Sequence, residues 1–209
     1  MLVFDLIRPE ERKQCAALAA RAFLDYEYFS VFVRNARQRC AFLGSMMDVE
    51  FRLNSGRARY FTAKDDASRI LAAAMLCAPD YAKPTDSEYL KAGYWRTLLA
   101  GGIRDALAWG KMEAAAIRPC RAQMDGGSWY LNLLTVEPEA EGRGIGSRML
   151  REAILPYVRE HGGAGLCLFT NSEINRAFYR KNGFEEFHSQ RFSRRGRQIG
   201  SWSYRIAIH

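Results

Sequence analysis

Three glycines at alternate positions follow an apolar stretch that has the pattern of a β-strand. The strand covers Leu133–Val136, and Gly142, Gly144 and Gly146 stand where a helix is expected to begin. Because glycine has no Cβ, the backbone there can fold tightly and a ligand can approach it closely. The first N–H groups of the helix have no intrahelical partner and lie at the positive end of its dipole. This arrangement predicts a binding site for a phosphate group.

Two common phosphate-binding motifs fit this stretch badly. A P-loop ends in Gly-Lys-Ser/Thr, whereas Gly146 is followed by Ser147 and Arg148. A dinucleotide-binding fold carries an acidic residue on the next strand, and the next predicted strand, Gly165–Thr170, has none. For the glycines alone, an ordinary strand-to-helix turn remains an equal alternative.

A second motif lies downstream on a short predicted helix. This helix covers residues 173–182, and the glycine after it is expected to be a left-handed cap. Together, the two segments resemble the GCN5-related N-acetyltransferase (GNAT) superfamily. Gly144 and Gly146 take the glycine places of its Arg/Gln-x-x-Gly-x-Gly/Ala motif. The helix matches its Asn-x-x-Phe-Tyr-x-x-x-Gly-Phe signature at Asn175, Phe178, Tyr179, Gly183 and Phe184.

The resemblance extends to the branch that includes puromycin N-acetyltransferase. In that branch, too, Trp-Tyr-Leu stands at the head of the strand (here Trp129–Leu131), after a helical, aromatic-rich insertion. The core similarity covers about residues 129–187. One position departs from the family pattern, because Glu141 stands where the motif has Arg or Gln. A carboxylate repels a pyrophosphate unless a cation neutralises it or it turns away, and Arg143 is the candidate cation.

The resemblance implies that the chain binds acetyl-CoA. The pyrophosphate would lie on the N–H groups of the glycine turn, and the pantetheine arm would pair with the backbone edge of Leu134–Val136. The residues expected to bind the cofactor are Leu134, Thr135, Val136, Gly142, Arg143, Gly144, Ile145, Gly146, Ser147, Asn171, Asn175, Phe178 and Tyr179. No metal ion is expected.

The predicted catalytic residues are Tyr179, Asn132 and Tyr130. Tyr179 stands where the family has its general acid, and a phenol, with an ordinary pKa near 10, suits protonation of a departing thiolate. Tyr130 and Asn132 stand on the central strand, where family members often carry the base. Neither is a good base at neutral pH, so Asn132 is expected to hold a water or the acceptor amine. The alternatives left open are a water chain and the acids Asp25, Glu27, Glu50 and Glu137.

An α+β fold with three layers is predicted to position these residues. Hydrophobic patterning, taken with the resemblance, gives the order β-α-α-β-β-insertion-β-α-β-α-β-β. The resemblance implies a mixed, mostly antiparallel sheet flanked by helices, in which strands 131–136 and 166–170 start parallel and then splay. The helix after the glycine turn covers residues 147–161, and Pro156 inside it predicts a kink or a late break.

A helical insertion is predicted at about residues 80–125, within one N-acetyltransferase domain covering residues 1–209. Apolar and aromatic residues recur there at helical spacing, which a helix pair packed on the core would also explain. The functional interpretation is a wall or lid over an acceptor pocket. The residues predicted to contact the acceptor are Tyr94 and Trp95 of the insertion, with Tyr28, Trp129 and Trp202.

Composition limits the remaining possibilities. The net charge is +8, but the basic residues are scattered, so no nucleic-acid partner is predicted. The one dense cluster has the pattern of a solvated turn between two strands; it contains Arg191, Arg194, Arg195 and Arg197. No apolar run is long enough to span a bilayer, and no signal peptide is recognisable. Five widely spaced cysteines indicate free thiols. We therefore expect a cytoplasmic protein with no membrane partner, as a monomer or homodimer.

The function predicted from these observations is acetyl-CoA-dependent N-acetylation of a small-molecule amine, by direct attack in a ternary complex. Two alternatives remain open. One is acetylation of a protein or peptide. The other is a CoA-binding sensor without turnover, which Glu141 and the missing strand base favour.

Overall fold

A computed structural model describes residues 1–208. Its centre is a seven-stranded sheet with the order β1-β2-β3-β4-β5-β7-β6. The strands are β1 (Val3–Leu6), β2 (Arg59–Lys64), β3 (Ile70–Cys77), β4 (Ser128–Val136), β5 (Gly165–Thr170), β6 (Glu185–Arg194) and β7 (Arg197–Ala207). The helices are α1 (Arg12–Ala22), α2 (Glu27–Ser30), α3 (Ala36–Leu53), α4 (Asp86–Lys91), α5 (Tyr94–Gly101), α6 (Ile103–Met124), α7 (Ile145–Met149), α8 (Leu155–Glu160) and α9 (Glu173–Lys181). In residues 1–208, no helix is both long and apolar enough to cross a membrane.

The neighbouring strands β4 and β5 are parallel, whereas the other neighbouring pairs are antiparallel. The parallel pair is short, because only Ser128–Tyr130 pair with Gly165–Cys167. Beyond that point β4 continues against β3, and β5 continues against β7. Each strand therefore has one unpaired edge facing the other. The mixed, mostly antiparallel sheet with a splayed central pair confirms the predicted fold.

A β-bulge lies in β4 close to the point where it leaves β5. Leu131 pairs with Leu76 and Leu133 pairs with Met75, so Asn132 has no partner on β3. An extra residue of this kind bends its strand and increases the local twist. The bulge therefore turns the free part of β4 away from its parallel neighbour.

Helices cover both faces of the sheet and give the predicted three layers. On one face, α1, α3 and α6 contribute to a core that contains Phe42 and Met112. On the other face, the helices after the glycine turn contribute to a second core that contains Met149 and Val158. The sheet is thus buried from both sides along its central strands.

The helix that follows the glycine turn contains one π-helical turn. α7 is followed by a π segment at Leu150–Ile154, and Pro156 lies in the first turn of α8. Proline has no N–H, and its ring clashes with the carbonyl four residues earlier in a regular α-helix. A wider turn just before the proline relieves that clash. The irregularity predicted from Pro156 takes this form.

The insertion contains α4, α5 and the long helix α6, which continues through Pro119 to Met124. The turn between β6 and β7 lies against it. Arg195 forms an ion pair with Asp105 of α6 at 2.8 Å, and Arg194 pairs with the same carboxylate. The predicted turn between two strands is present and the Arg195 side chain is exposed, but Asp105 gives both arginines a partner that cannot be foreseen from local sequence.

The segment between α1 and α3 is held by one buried arginine. Arg39 donates hydrogen bonds to the carbonyl oxygens of Leu24 (2.5 Å), Val33 (3.0 Å) and Arg34 (3.1 Å). Those carbonyls lie on either side of Tyr26 and Tyr28, which line the cavity described below. Arg39 thus fixes a loop that would otherwise have unpaired polar backbone groups.

Replacing Arg39 with methionine should lower the free energy of unfolding by about 2–4 kcal/mol, because several buried carbonyls lose a charged donor. Equilibrium denaturation measures the change. The matched control is Arg37→Met, an exposed position on the same helix. Its effect should stay within about 0.5 kcal/mol. Equal effects of the two substitutions would contradict the role given to Arg39.

Candidate active site

The glycine turn presents unpaired backbone donors at the start of α7. Gly144 is the residue that caps the helix, with φ 73°, a left-handed conformation that glycine adopts without strain. Within residues 1–208, none of the N–H groups of residues 142–147 donates a hydrogen bond to a protein atom. Such a row of free donors at a helix start fits an anionic group. Of the side chains there, Ile145 is buried, whereas Glu141 and Arg143 are exposed beside the turn.

The second sequence motif lies directly against this turn. A Cβ added to Gly146 would lie 3.3 Å from Phe178 of α9 and 3.7 Å from Val136 at the end of β4. The absence of a side chain at Gly146 therefore lets α7 approach α9 closely. Phe178, predicted to bind the cofactor, supports the turn from beneath.

The unpaired edges of β4 and β5 run from the turn towards the sheet interior. On β4, the Thr135 hydroxyl donates to the Ala73 carbonyl (3.3 Å), so its backbone is the part left for a ligand. At the end of β5, the Asn171 amide nitrogen donates to Gly200 O at 2.7 Å. The Asn171 backbone N–H donates to the Tyr26 hydroxyl at 2.9 Å. Asn171 therefore acts first as a structural link between β5, β7 and the α1–α3 loop.

Tyr179 lies where the two strands have separated. Its side chain is buried and lines the cavity, and in the described part of the chain its hydroxyl has no hydrogen-bond partner. Burial raises the pKa of the Tyr179 phenol, and the nearby Tyr26 phenol adds to the effect. Tyr179 therefore keeps its proton at neutral pH and offers it into the cavity.

A cavity of about 1020 Å³ lies between the separated strands and the insertion. Its wall is rich in aromatic rings, and Tyr28, Tyr94 and Trp109 are among them. Tyr130 and Asn132, two of the predicted catalytic residues, line it too, and so do Leu134, Asn171 and Asn175 from the predicted cofactor set. The structure thus brings the ends of β4 and β5 and the insertion around one space.

Three of the five residues predicted to contact the acceptor lie outside this cavity. Trp129 packs on the opposite face of the sheet against Tyr157, because side chains alternate along a strand and Tyr130 takes the cavity face. Trp202 stacks with the Arg176 guanidinium, 4.4 Å from its ring centre. Trp95 is on the outer face of α5 with 48% of its surface exposed. Only Tyr28 and Tyr94 of that set line the cavity.

Of the acids considered as bases, only Glu50 lies in the cavity. Asp25 and Glu27 are exposed to solvent. Glu137 is held by Arg21 in a two-pronged ion pair at 2.7 and 3.0 Å. Burial raises the pKa of the Glu50 carboxyl to about 7, against the effects of Tyr89, Lys83 and Asn54.

Sequence reasoning missed two residues of this cavity, Glu113 and Tyr26. Glu113 of α6 accepts a hydrogen bond from the Tyr28 hydroxyl, and burial raises the pKa of its carboxyl. The available signal was its spacing of four residues from Trp109, which places both on one helix face. The Tyr26 hydroxyl lies 3.1 Å from Thr170 Oγ1 at the end of β5. No local signal predicts that long-range contact.

Comparison with known proteins identifies the domain. Residues 107–186, from α6 to the start of β6, match the model of the acetyltransferase (GNAT) domain. This part of the chain is a GNAT acetyltransferase domain. This confirms the resemblance of the two sequence motifs, which both lie inside the matched region. A search of curated protein sequences finds no match.

Solved structures share the GNAT fold at low sequence identity. A Corynebacterium glutamicum protein described as histone acetyltransferase HPA2 and related acetyltransferase is 14% identical, with a TM-score of 0.65 over 97% of this chain and 94% of that one. The ribosomal-protein-S18-alanine N-acetyltransferase of Escherichia coli is 14% identical, with a TM-score of 0.58 over 100% and 94%. A GNAT acetyltransferase from Brucella melitensis in complex with acetyl-CoA is 14% identical, with a TM-score of 0.54 over 100% and 89%.

The raised pKa of Glu50 should make the stability of this GNAT acetyltransferase depend on pH. Its pKa rises from the ordinary 4.5 to about 7 on folding, so in this interval the folded state binds the proton more tightly. The free energy of unfolding should therefore fall as the pH rises from about 4.5 to about 7. Glu50→Gln, which cannot ionise, should lose less stability between about pH 5 and about pH 8 in denaturant titrations. The control Asp48→Asn, an exposed acid on the same helix, should follow the unmodified chain. Identical pH slopes for all three proteins would rule this effect out.

Proposed function

We propose that this GNAT acetyltransferase transfers an acetyl group from acetyl-CoA to the amine of a small molecule. One observation carries the proposal: the free edge of β4 leads from the aromatic cavity, which Leu131–Leu134 line, to Val136 beside the glycine turn with its free N–H groups. A ligand with an anionic end and a reactive end would span these two places.

The residues present fit acetyl-CoA. The N–H groups of residues 142–147 would hold its pyrophosphate, and Phe178 and Val136 keep the turn in place. The free edge of Leu134–Val136 would pair with the amides of the pantetheine arm, as an added strand does. When bound, acetyl-CoA supplies an acetyl thioester that a neutral amine can attack. Glu141 is exposed, so it can turn towards solvent and away from the phosphates.

Three side chains near the point where β4 and β5 separate would have different roles in the transfer. Tyr179 would hold its proton at Oη for the departing sulfur. Asn132 donates through Nδ2 to Met75 Sδ at 3.1 Å, so its amide oxygen is left to accept a hydrogen bond from the amine. Burial raises the pKa of the Tyr130 phenol far above its ordinary value. Tyr130 would therefore form part of the wall and not act as a base.

The cavity favours a small acceptor over a folded protein. Its volume of about 1020 Å³ is at the upper end of the range for small-molecule pockets. Helices α5 and α6 close one side of it with aromatic side chains. The test is thiol release from acetyl-CoA with a panel of small amines and a panel of peptides with free N-termini, with products identified by mass spectrometry. Acetylation of peptides alone would replace the small-molecule proposal with the peptide one.

Substituting valine for Gly144 should weaken acetyl-CoA binding by at least about tenfold, or 1.4 kcal/mol. The added side chain would distort the left-handed turn and cover the donors, and calorimetry would measure the affinity. Gly196→Val is the matched control, because Gly196 has φ 77° and open surroundings in the β6–β7 turn. That variant should lose stability but keep its affinity for acetyl-CoA. An unchanged affinity in Gly144→Val would exclude the turn as the phosphate site.

Removing the hydroxyl of Tyr179 as Tyr179→Phe should lower kcat by about 10²–10⁴-fold, the usual contribution of general acid catalysis. The ring and its packing remain, so acetyl-CoA affinity should hardly change. Tyr157→Phe is the control, since Tyr157 packs against Phe61 and Trp129 on the opposite sheet face. A Tyr179→Phe enzyme with at least half of the original kcat, where chemistry limits turnover, would eliminate the proton-donor role.

A further inference from the structure

Two carboxylates that line the aromatic cavity accept hydrogen bonds only from neutral groups. Glu50 accepts from the Asn54 side chain at 2.9 Å, and Glu113 accepts from the Tyr28 hydroxyl. In residues 1–208, neither forms an ion pair within 4.0 Å. Lys83 is the cation whose charge acts on both, but its side chain is exposed near the Tyr89 ring. Glu50 and Glu113 are half-buried, and removing a carboxylate from water without a cationic partner is costly.

The same chain contains a buried carboxylate that is paired. Glu11 lies 2.6 Å from Lys64 and 2.6 Å from Arg8, and these partners outweigh burial and lower its pKa to about 2. The pKa of Glu50 is shifted in the opposite direction, since burial raises it to about 7. The difference indicates that Glu11 is part of a completed structural ion pair. Glu50 and Glu113 have no such partner, and both line a cavity from which a cationic ligand could reach them.

The two carboxylates line the same cavity from different helices, α3 and α6, and have different neighbours. Glu113 is held by Tyr28, whose ring centre is 6.5 Å from that of Phe169 on β5, beside the strand separation. Glu50 lies on α3, near Tyr89 and the side chain of Asn54. The Tyr94 ring lines the same cavity as both carboxylates. An aromatic surface therefore adjoins both negative groups.

We infer that the acceptor is a dibasic amine with an apolar or aromatic segment between its nitrogens: Glu113 takes a proton from the attacking nitrogen, and Glu50 pairs with the other. This inference rests on the proposed function. Each carboxylate would then gain the cationic partner that the chain does not supply. The segment between the nitrogens would lie on rings such as Tyr94, which also attract cations through their faces.

Glu113, Tyr179 and the acceptor ammonium account for every proton in the transfer. The acceptor ammonium gives one proton to the Glu113 carboxylate, and the nitrogen lone pair forms the new bond to the acetyl carbon. The carbon–sulfur bond breaks, and Tyr179 gives its proton to the sulfur. The nitrogen loses its second proton as the amide forms, which restores the Tyr179 phenol. Glu113 then releases its proton to solvent, so the net products are an amide, a thiol and one proton.

The experiment compares matched pairs of acceptors that differ by one amine. One pair is para-xylylenediamine and para-methylbenzylamine, and another is diaminopentane and pentylamine. Both kcat/KM and calorimetric binding to the CoA-loaded enzyme are measured. Both kcat/KM and the affinity should be at least tenfold higher for each diamine than for its monoamine, which corresponds to about 1.4 kcal/mol. Equal values for diamines and monoamines would overturn the inference and leave the proposed function standing.

Variants test the separate roles of the two carboxylates. Glu50→Gln should raise KM for the diamines and bring the diamine-to-monoamine ratio towards one. Glu113→Gln should mainly lower kcat for both classes. Asp48→Asn, exposed on the same helix as Glu50, should keep the ratio, and melting curves identify variants that fail to fold. A ratio unchanged in Glu50→Gln would overturn the inference. Absence of acetyl transfer to every amine tested would contradict the proposed function, even where diamine binding depends on Glu50.

Discussion

The early separation of β4 from β5 is the constraint on which the rest of this site depends. Two adjacent parallel strands would normally exchange hydrogen bonds along their whole length. Here the pairing stops at Tyr130 and Cys167, so both strands have an unpaired edge inside the molecule. Buried backbone groups without partners are costly, so each edge needs another partner. At the end of β5, the Asn171 N–H donates a hydrogen bond to the Tyr26 hydroxyl. The edge of β4 remains available for a ligand.

The two ends of this gap are built in different ways. The proposed cofactor end would consist mainly of backbone, since the N–H groups of residues 142–147 are free and side chains such as Phe178 only support the turn. The acceptor end is made of side chains, from the insertion, α3 and the α1–α3 loop. This difference explains why Glu141 is tolerable in place of Arg or Gln. A change of side chain there leaves the main donors in position.

The sequence predicted the glycine turn and the helix α9, because glycine positions and the Asn-x-x-Phe-Tyr spacing are local signals. It predicted the cavity side chains less well. Trp129 lies on the opposite sheet face from the cavity, which alternation along the strand should have indicated, since the neighbouring Tyr130 was predicted to be catalytic. The bulge at Asn132 and the link from Arg39 to its three carbonyls depend on partners distant in sequence. Glu113 was missed for the same reason, because its burial is set by contacts between helices.

The contacts of α6 bear on the functional interpretation of the insertion as a wall or lid over an acceptor pocket. Near its start, Asp105 is paired with Arg194 and Arg195 of the β6–β7 turn. Near its end, the Cys120 carbonyl accepts from the Cys167 thiol of β5 at 3.5 Å, at the last paired position of the parallel strands. Contacts with the sheet near both ends of the helix favour a fixed wall over a movable lid. In the proposed transfer, such a wall would hold the Glu113 carboxylate at a constant position, as a proton acceptor requires.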